Sequence, residues 1–143
     1  MVREYKDINF LVGNMDALCN MEHTRALPIF SKSVVSFFCR LSEVLLHDPR
    51  AKAYGDVIAF AFWLRKASIE NEAARYRALG SRIGWGMAFH IAPSNIPVQF
   101  AVSLVYALLA GNASVIRVSD KKFEQVDILC ETISILLREA FQE

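Results

Sequence analysis

The sequence is poor in the residues that mark several large function classes. It has three cysteines, Cys19, Cys39 and Cys130, in 143 residues. They are odd in number and widely spaced. No disulfide framework, CxxC pair or zinc pattern is present, and no metal site is expected. Free thiols in an apolar chain point to a reducing compartment, so a cytoplasmic location is expected. The glycine-rich phosphate loops GxGxxG and GxxxxGKS/T are absent, and with them the main support for an ordinary dinucleotide-binding or P-loop fold. No run of like charge exceeds two residues, and 16 Lys/Arg against 15 Asp/Glu leave a net charge of +1. That balance predicts no nucleic-acid partner and no polybasic membrane tether. The N-terminal MVREYKDINF has charges of both signs and no apolar run, so no secretory signal is expected there. Internal repeats and low-complexity linkers are also lacking.

What is present is apolar. Hydrophobic residues make up 54% and the mean hydropathy is +0.27, which excludes disorder as the main state. A chain of this length buries roughly 68–70% of its unfolded surface and needs no staples. Charge is unevenly spread. Residues 1–82 hold 12 of the Lys/Arg and 9 of the Asp/Glu, and nothing charged occurs from Ile83 to Ile116. Pro93, Ser94, Asn95, Pro97 and Gln99 interrupt that stretch, and its longest apolar part, Phe100 to Ala110, is too short to span a bilayer. The pattern predicts no membrane span, but central parallel strands covered on both faces.

The coarse element pattern has two parts. A short strand is expected at Ile8–Val12. Ser31 is a candidate N-cap for a first helix, with Phe30 stapled onto Val35. Val34, Phe37, Phe38, Leu41, Val44 and Leu45 form its apolar stripe, and Asp48-Pro49 ends it. A second helix is predicted from after Asp56 to about Leu79, apolar all round at first and charged later, with Gly80 as its stop. Then comes a strand at Met87–Ile91, a loop at Ala92–Ile96, a helix from Pro97 to Ala110 capped by Gly111-Asn112, and a strand at Ser114–Val118. A last helix runs from about Lys122 to Phe141, with Phe123, Val126, Cys130, Ile133, Leu137 and Ala140 on one stripe. The fold class is therefore α/β: N-terminal helices over 1–82, then a parallel βαβα unit over 83–143, forming one domain or part of a larger one.

Two strands joined by one helix and short loops are parallel, with a right-handed crossover. Their C-terminal ends share one sheet edge, where ligands of open α/β sheets bind. Ser94, Asn95, Arg117, Ser119 and Asp120 are the polar residues expected there, near helix N-termini that favour anions. Topology alone yields a site without a reaction.

The residues His90-Ile91-Ala92-Pro93-Ser94-Asn95-Ile96-Pro97, then Ala110-Gly111-Asn112, then Ile116-Arg117-Val118-Ser119-Asp120 resemble the aldehyde dehydrogenase superfamily. That superfamily carries a Pro-Trp-Asn-Phe-Pro loop, an Ala-Gly-Asn and a Lys-Pro-Ser-Glu turn. Here Ser94 stands for the Trp, Arg117 for the Lys, Val118 for the Pro and Asp120 for the Glu. The longer string FHIAPSNIPVQFAVSLVYALLAGNASVIRV is more similar to the bacterial fatty acyl-CoA reductases known from bioluminescence aldehyde supply. The Leu27–Ser31 lead-in and the Ala59–Trp63 helix fit that branch, so the resemblance covers about residues 27–143.

The resemblance implies that residues 1–143 are one partial domain, the start of an aldehyde-dehydrogenase-like cofactor domain without its catalytic cysteine domain, and an NADPH-dependent reduction of acyl-CoA, or another acyl thioester, to a fatty aldehyde. A cysteine nucleophile carries the acyl group. Asn95 falls on the oxyanion asparagine. Ala92, Pro93, Ser94, Arg117, Ser119 and Asp120 fall on cofactor-binding positions, with Arg117 suited to phosphate. Asp120 beside a 2′-phosphate is repulsive, which leaves NADPH against NADH open. The resemblance places the nucleophile beyond this chain, so the chain is expected to be an N-terminal portion, inactive alone. It further implies a homo-oligomer or multienzyme complex for the longer protein.

Plainer roles stand beside these. Cys130 and Cys39 sit on apolar stripes and read as inert thiols. Asn95 suits a cap of the following helix, and Ser119 and Asp120 suit caps of the last one. Arg117 at a strand end is also placed to snorkel. His90 reads as a satisfied core histidine. Phe60, Phe62 and Trp63 read as packing, or as the wall of an acyl tunnel. Two other functions compete: a non-catalytic interaction module, and an aldehyde dehydrogenase working in the oxidising direction, which Ser94 in place of the loop Trp disfavours.

Overall fold

A computed structural model describes residues 8–78 and 80–140. The elements run α1 (Met15–Cys19), α2 (Lys32–His47), α3 (Gly55–Trp63), α4 (Lys66–Arg77), β1 (Met87–Ile91), α5 (Gln99–Leu109), β2 (Ala113–Arg117) and α6 (Glu124–Ala140), with 3-10 turns at Met21–His23 and Ala51–Ala53. The α/β order expected from sequence is the one observed: helices first, then a parallel βαβα unit.

Phe38, Leu41 and Leu45 repeat at helical spacing on α2 and are fully buried. They meet Val57 of α3, Leu64, Val105 of α5, and Ile128 and Leu129 of α6 in one continuous core. A polar clasp sits inside it. Ser42 Oγ donates to the Ala61 carbonyl at 2.7 Å, and Ser42 is buried. Ala61 lies in the last turn of α3, where carbonyls have no helical partner. Ser42→Ala is therefore expected to cost about 1–2 kcal/mol. Thermal unfolding followed by circular dichroism should show a midpoint lower by on the order of 5 °C.

The structure corrects several sequence expectations. Ile8–Val12 is not a strand. Residues 11–13 form bends, and the chain enters α1, where Asn14 Oδ1 accepts from the Ala17 N–H at 2.8 Å. Ser31 occupies the cap position of α2, but its hydroxyl makes no capping bond and is buried without a partner. The single helix expected from Asp56 to Leu79 is two helices. Leu64 is fully buried, and the chain then turns at Arg65, whose ψ of 146° is extended. Arg65 Nε donates to the Phe62 carbonyl at 3.2 Å and its guanidinium lies over the Phe62 ring. The turn lets the apolar α3 stay in the core while α4, with only Ile69 buried, runs along the surface. Leu79 and Phe141, the expected helix ends, lie outside the described residues. Pro97 precedes α5 by two residues in a turn, β2 starts one residue early, and α6 starts at Glu124.

β1 and β2 pair in parallel, Met87 opposite Ala113 through Ile91 opposite Arg117. They are the only sheet strands among the described residues. Helices cover one face only, which overturns the expectation of strands buried on both. Met87, Phe89 and Ile91 are 58%, 61% and 68% exposed, while Ala88 and His90 between them turn inward. Ile83 and Trp85, at the same alternation, extend this exposed apolar stripe.

The segment Leu27–Phe30 threads between the stretches that precede β1 and follow α5. Leu27 N donates to the Gly111 carbonyl at 2.9 Å, Gly84 N to the Leu27 carbonyl at 2.9 Å, and Phe30 N to the Leu109 carbonyl at 2.8 Å. Pro28 bridges Ile83 antiparallel. Phe30 has φ of 51°, a left-handed value unusual for a bulky residue. The Gly111-Asn112 cap forms as expected: Gly111 N–H reaches the Leu108 carbonyl and Asn112 N–H the Ala107 carbonyl, both at 3.0 Å.

Candidate functional site

Parallel pairing brings the two expected segments to one place. β1 ends at Ile91 opposite Arg117, the last residue of β2. One step further, Ala92 N donates to the Arg117 carbonyl at 3.0 Å. The loop 92–96 and the segment 117–121 therefore leave side by side from the C-terminal ends of the strands. Ala92 is buried at the root of the loop, while Pro93, Ser94, Asn95 and Ile96 are exposed.

The cap roles weighed from sequence are not the ones observed. The N-cap of α5 is Val98, three residues after Asn95. No hydrogen bond among the described residues uses the Asn95 side chain, so its amide is available at the edge. Ser119 and Asp120 stand four and more residues ahead of α6. Ser119 Oγ instead accepts from the Lys121 N–H at 3.2 Å, closing a local turn. Asp120 faces Arg117 across a loose ion pair of 3.8 Å. Thus Ser94, Asn95, Arg117, Ser119 and Asp120 share one edge, Arg117 as the last residue of β2 and the others in loops, none within the first turn of a helix.

Two lysines escaped the sequence reading. Lys121 and Lys122 follow Asp120 directly and are exposed, with the Lys121 ammonium 4.9 Å from the centroid of the Phe123 ring. Their signal was the adjacent Lys-Lys pair, which is weak alone and gains meaning only from its place after β2. With Arg117 they put three cations within six residues at the strand end, of which Arg117 is the one paired with the Asp120 carboxylate. Such a set suits a phosphate-bearing ligand.

The thiols lie elsewhere. Cys130 is buried on α6, and burial, helped by the Asp127 charge, pushes its thiol up to about 12. Burial also raises the Cys39 thiol, against a lowering by Lys66. Cys19 is exposed and ends α1. His90 turns inward from β1, and its Nε2 is buried without a hydrogen-bond partner, so it is not the satisfied core histidine expected. No group of three or more His, Cys, Asp or Glu among the described residues is placed to hold a metal. No helix among them is long and apolar enough to cross a membrane.

A family model described as acyl-CoA reductase (LuxC) matches residues 33–136, well over half of the chain. The match runs from α2 into α6 and includes both strand-end segments. No curated protein and no solved structure matches the chain.

Proposed function

Because this chain belongs to the acyl-CoA reductase (LuxC) family, we propose that it forms the nucleotide-side part of an NADPH-dependent acyl-thioester reductase. The observation that carries this is the adjacency of the two strand-end segments, Ala92 N to the Arg117 carbonyl at 3.0 Å. It sets an exposed, uncommitted amide, Asn95, on one segment and a cluster of cations on the other. We assign residues 1–82 to a helical N-terminal region and 83–143 to the start of a nucleotide-binding unit of aldehyde-dehydrogenase type, together one partial domain.

In this reading Arg117 binds the cofactor phosphate, and its ion pair with Asp120 tempers the repulsion that a carboxylate would exert there. Ser119 and Asp120 would hold the ribose hydroxyls, and Ala92, Pro93 and Ser94 would supply the backbone beside the cofactor. When bound, NADPH supplies the hydride that reduces the acyl group to an aldehyde. A cysteine thiolate attacks the thioester carbon and the C–S bond to CoA breaks, leaving an acyl-cysteine; after hydride addition its own C–S bond breaks, releasing the aldehyde and restoring the thiolate. The negative charge that develops on the carbonyl oxygen is met by the Asn95 amide N–H. Cys130 and Cys39, whose thiols burial raises, are unsuited to the attack. The family resemblance puts the nucleophile in a part of the enzyme outside this chain, which alone should not turn over.

The test is steady-state kinetics of the enzyme that carries this chain, with a long-chain acyl-CoA and NADPH. No acyl-CoA-dependent NADPH oxidation would sink the reading. Turnover only from aldehyde and NADP⁺ would favour the oxidising alternative. In the same assay Arg117→Ala should raise the NADPH KM about tenfold or more, as expected for one lost charge-assisted contact, with a smaller change in kcat at saturating cofactor. An unchanged KM removes Arg117 from the cofactor site. The interaction-module reading is favoured by one observation, the exposed stripe Ile83, Trp85, Met87, Phe89 and Ile91. A homo-oligomeric or multienzyme partner would bury this face, and the two readings are compatible.

A further inference from the structure

At the other end of the strands from Asn95 lies a groove of about 270 Å³. It opens between the C-terminal half of α5, the α3–α4 corner and the segments leading into β1 and β2. Trp85 and Asn112, which stand just ahead of the two strands, mark its position at their N-terminal ends. Five aromatic rings line it: Phe30, Trp63, Tyr76, Trp85 and Tyr106. Four of them are paired into walls, Phe30 with Tyr76 at 5.7 Å and Trp63 with Tyr106 at 5.3 Å between centroids. Fully buried Leu64 and nearly buried Val105 form the floor.

Polar groups are a minority of the lining, and two of them, Glu72 and Asn112, are already paired. Glu72 is held by Arg75 at 3.1 Å. Asn112 Oδ1 accepts from the Trp85 N–H at 2.6 Å and the Gly86 N–H at 3.2 Å. Arg82 is exposed, and no ion pair among the described residues involves it. The groove thus offers an apolar body with one uncommitted cation at its rim. An aromatic cage for a cationic ligand is disfavoured, because Arg82 repels such a ligand and the one carboxylate is already paired. A nucleotide would need more than a single cation. The body suits a linear hydrocarbon. About 150 Å³ takes the six carbons of benzene, so this groove takes on the order of ten carbons.

We propose that the groove is an acyl-chain site, separate from the Asn95 loop, that takes a fatty chain in its aromatic body and an anionic head group at Arg82. The choice of an acyl chain over another apolar ligand rests on the acyl-thioester reading above. A site at this end of the strands holds a chain that is not undergoing reduction: a free fatty acid, or an acyl-CoA held apart from the reacting loop.

Both tryptophans of the chain, Trp63 and Trp85, line the groove, so their emission reports its occupancy. The purified chain is titrated with hexanoate, octanoate, decanoate and myristate below micelle formation, and with decanoyl-CoA. The expected result is a saturable one-site change in emission. Affinity should rise by up to about fourfold per methylene and level off near ten carbons. Binding of both decanoate and decanoyl-CoA assigns the site to the chain itself, and binding of one alone identifies the source. Ser68→Phe, which fills the groove, should weaken decanoate binding at least tenfold. Tyr106→Ala at an exposed wall position should weaken it severalfold, and it carries the test if Ser68→Phe fails to fold. Arg82→Gln should weaken decanoate but not decanol. Unchanged emission at all chain lengths, or binding insensitive to the folded wall variants, overturns the proposal. Because the titration needs no turnover, its failure is distinguishable from failure of the reductase reading, which only the activity assay reports.

Discussion

Replacing Gly111 by alanine is expected to destabilise the fold by about 3–5 kcal/mol, a large part of what a domain of this size has. Gly111 has φ of +84°, and a Cβ there would fall inside the van der Waals sphere of the Leu27 carbonyl oxygen. Left-handed geometry alone costs a side chain about 1–2 kcal/mol. The clash adds to this, since the backbone of Leu27 cannot move without losing its bonds to Gly111 and Gly84. Each such bond is worth about 0.5–1.5 kcal/mol. Gly84→Ala should behave alike, because its Cβ would strike the Gly111 carbonyl. Gly13 is the control: its φ is +80°, but nothing lies within 4 Å of a Cβ there. Urea unfolding should rank Gly111→Ala well below Gly13→Ala. Equal midpoints for the two would show that the close approach at Leu27 is not a constraint.

Asn95→Ala should act on rate and not on stability. In the reductase, kcat should fall about 10²–10³-fold, as for one lost oxyanion donor. If the cofactor site proposed above is right, NADPH affinity should hold, because Asn95 follows β1 while the cations lie at and just beyond the end of β2. Stability should be unchanged, since Val98 is the α5 cap and the Asn95 side chain makes no bond among the described residues. The measurement is kcat and KM for both substrates, with circular dichroism as the check on folding. A folded, fully active Asn95→Ala enzyme would leave Asn95 as a loop residue only.

Local punctuation made much of this legible in advance. Gly84 and Gly86 ahead of one apolar run, Pro93 and Pro97 after it, and Gly111-Asn112 behind the next helix mark β1, α5 and β2 to within two residues. The strand-end edge follows from that pattern through the parallel crossover rule, and the quoted motifs supply candidate roles for Asn95 and Arg117. What stayed hidden depends on distant partners. The break at Leu64–Arg65 has no glycine or proline to signal it, because burial of α3 decides where the chain must turn. The exposed face of β1 could not be read, since Met87, Phe89 and Ile91 are apolar whether or not a layer covers them. The groove was equally invisible, because its five rings come from stretches far apart in sequence. Ring spacing along a chain records packing within one element, not an assembly of five.

The threading of Leu27–Phe30 also bears on the order in which the molecule can be made. Leu27 is bonded to Gly111, and Phe30 to Leu109, so an early segment is completed by residues synthesised much later. At about 5–20 residues per second, the ribosome leaves this segment without its partners for several seconds. α2 and α3 can associate during that time through Ser42 and Ala61, which lie closer together in the chain. The Leu27 contacts close a long loop, whose entropy cost grows with the logarithm of its length, and they belong to the last stage of folding. Until then Leu27 and Phe30 present unpaired backbone beside apolar side chains, and that nascent interval is when the protein is most open to a chaperone or to misassociation.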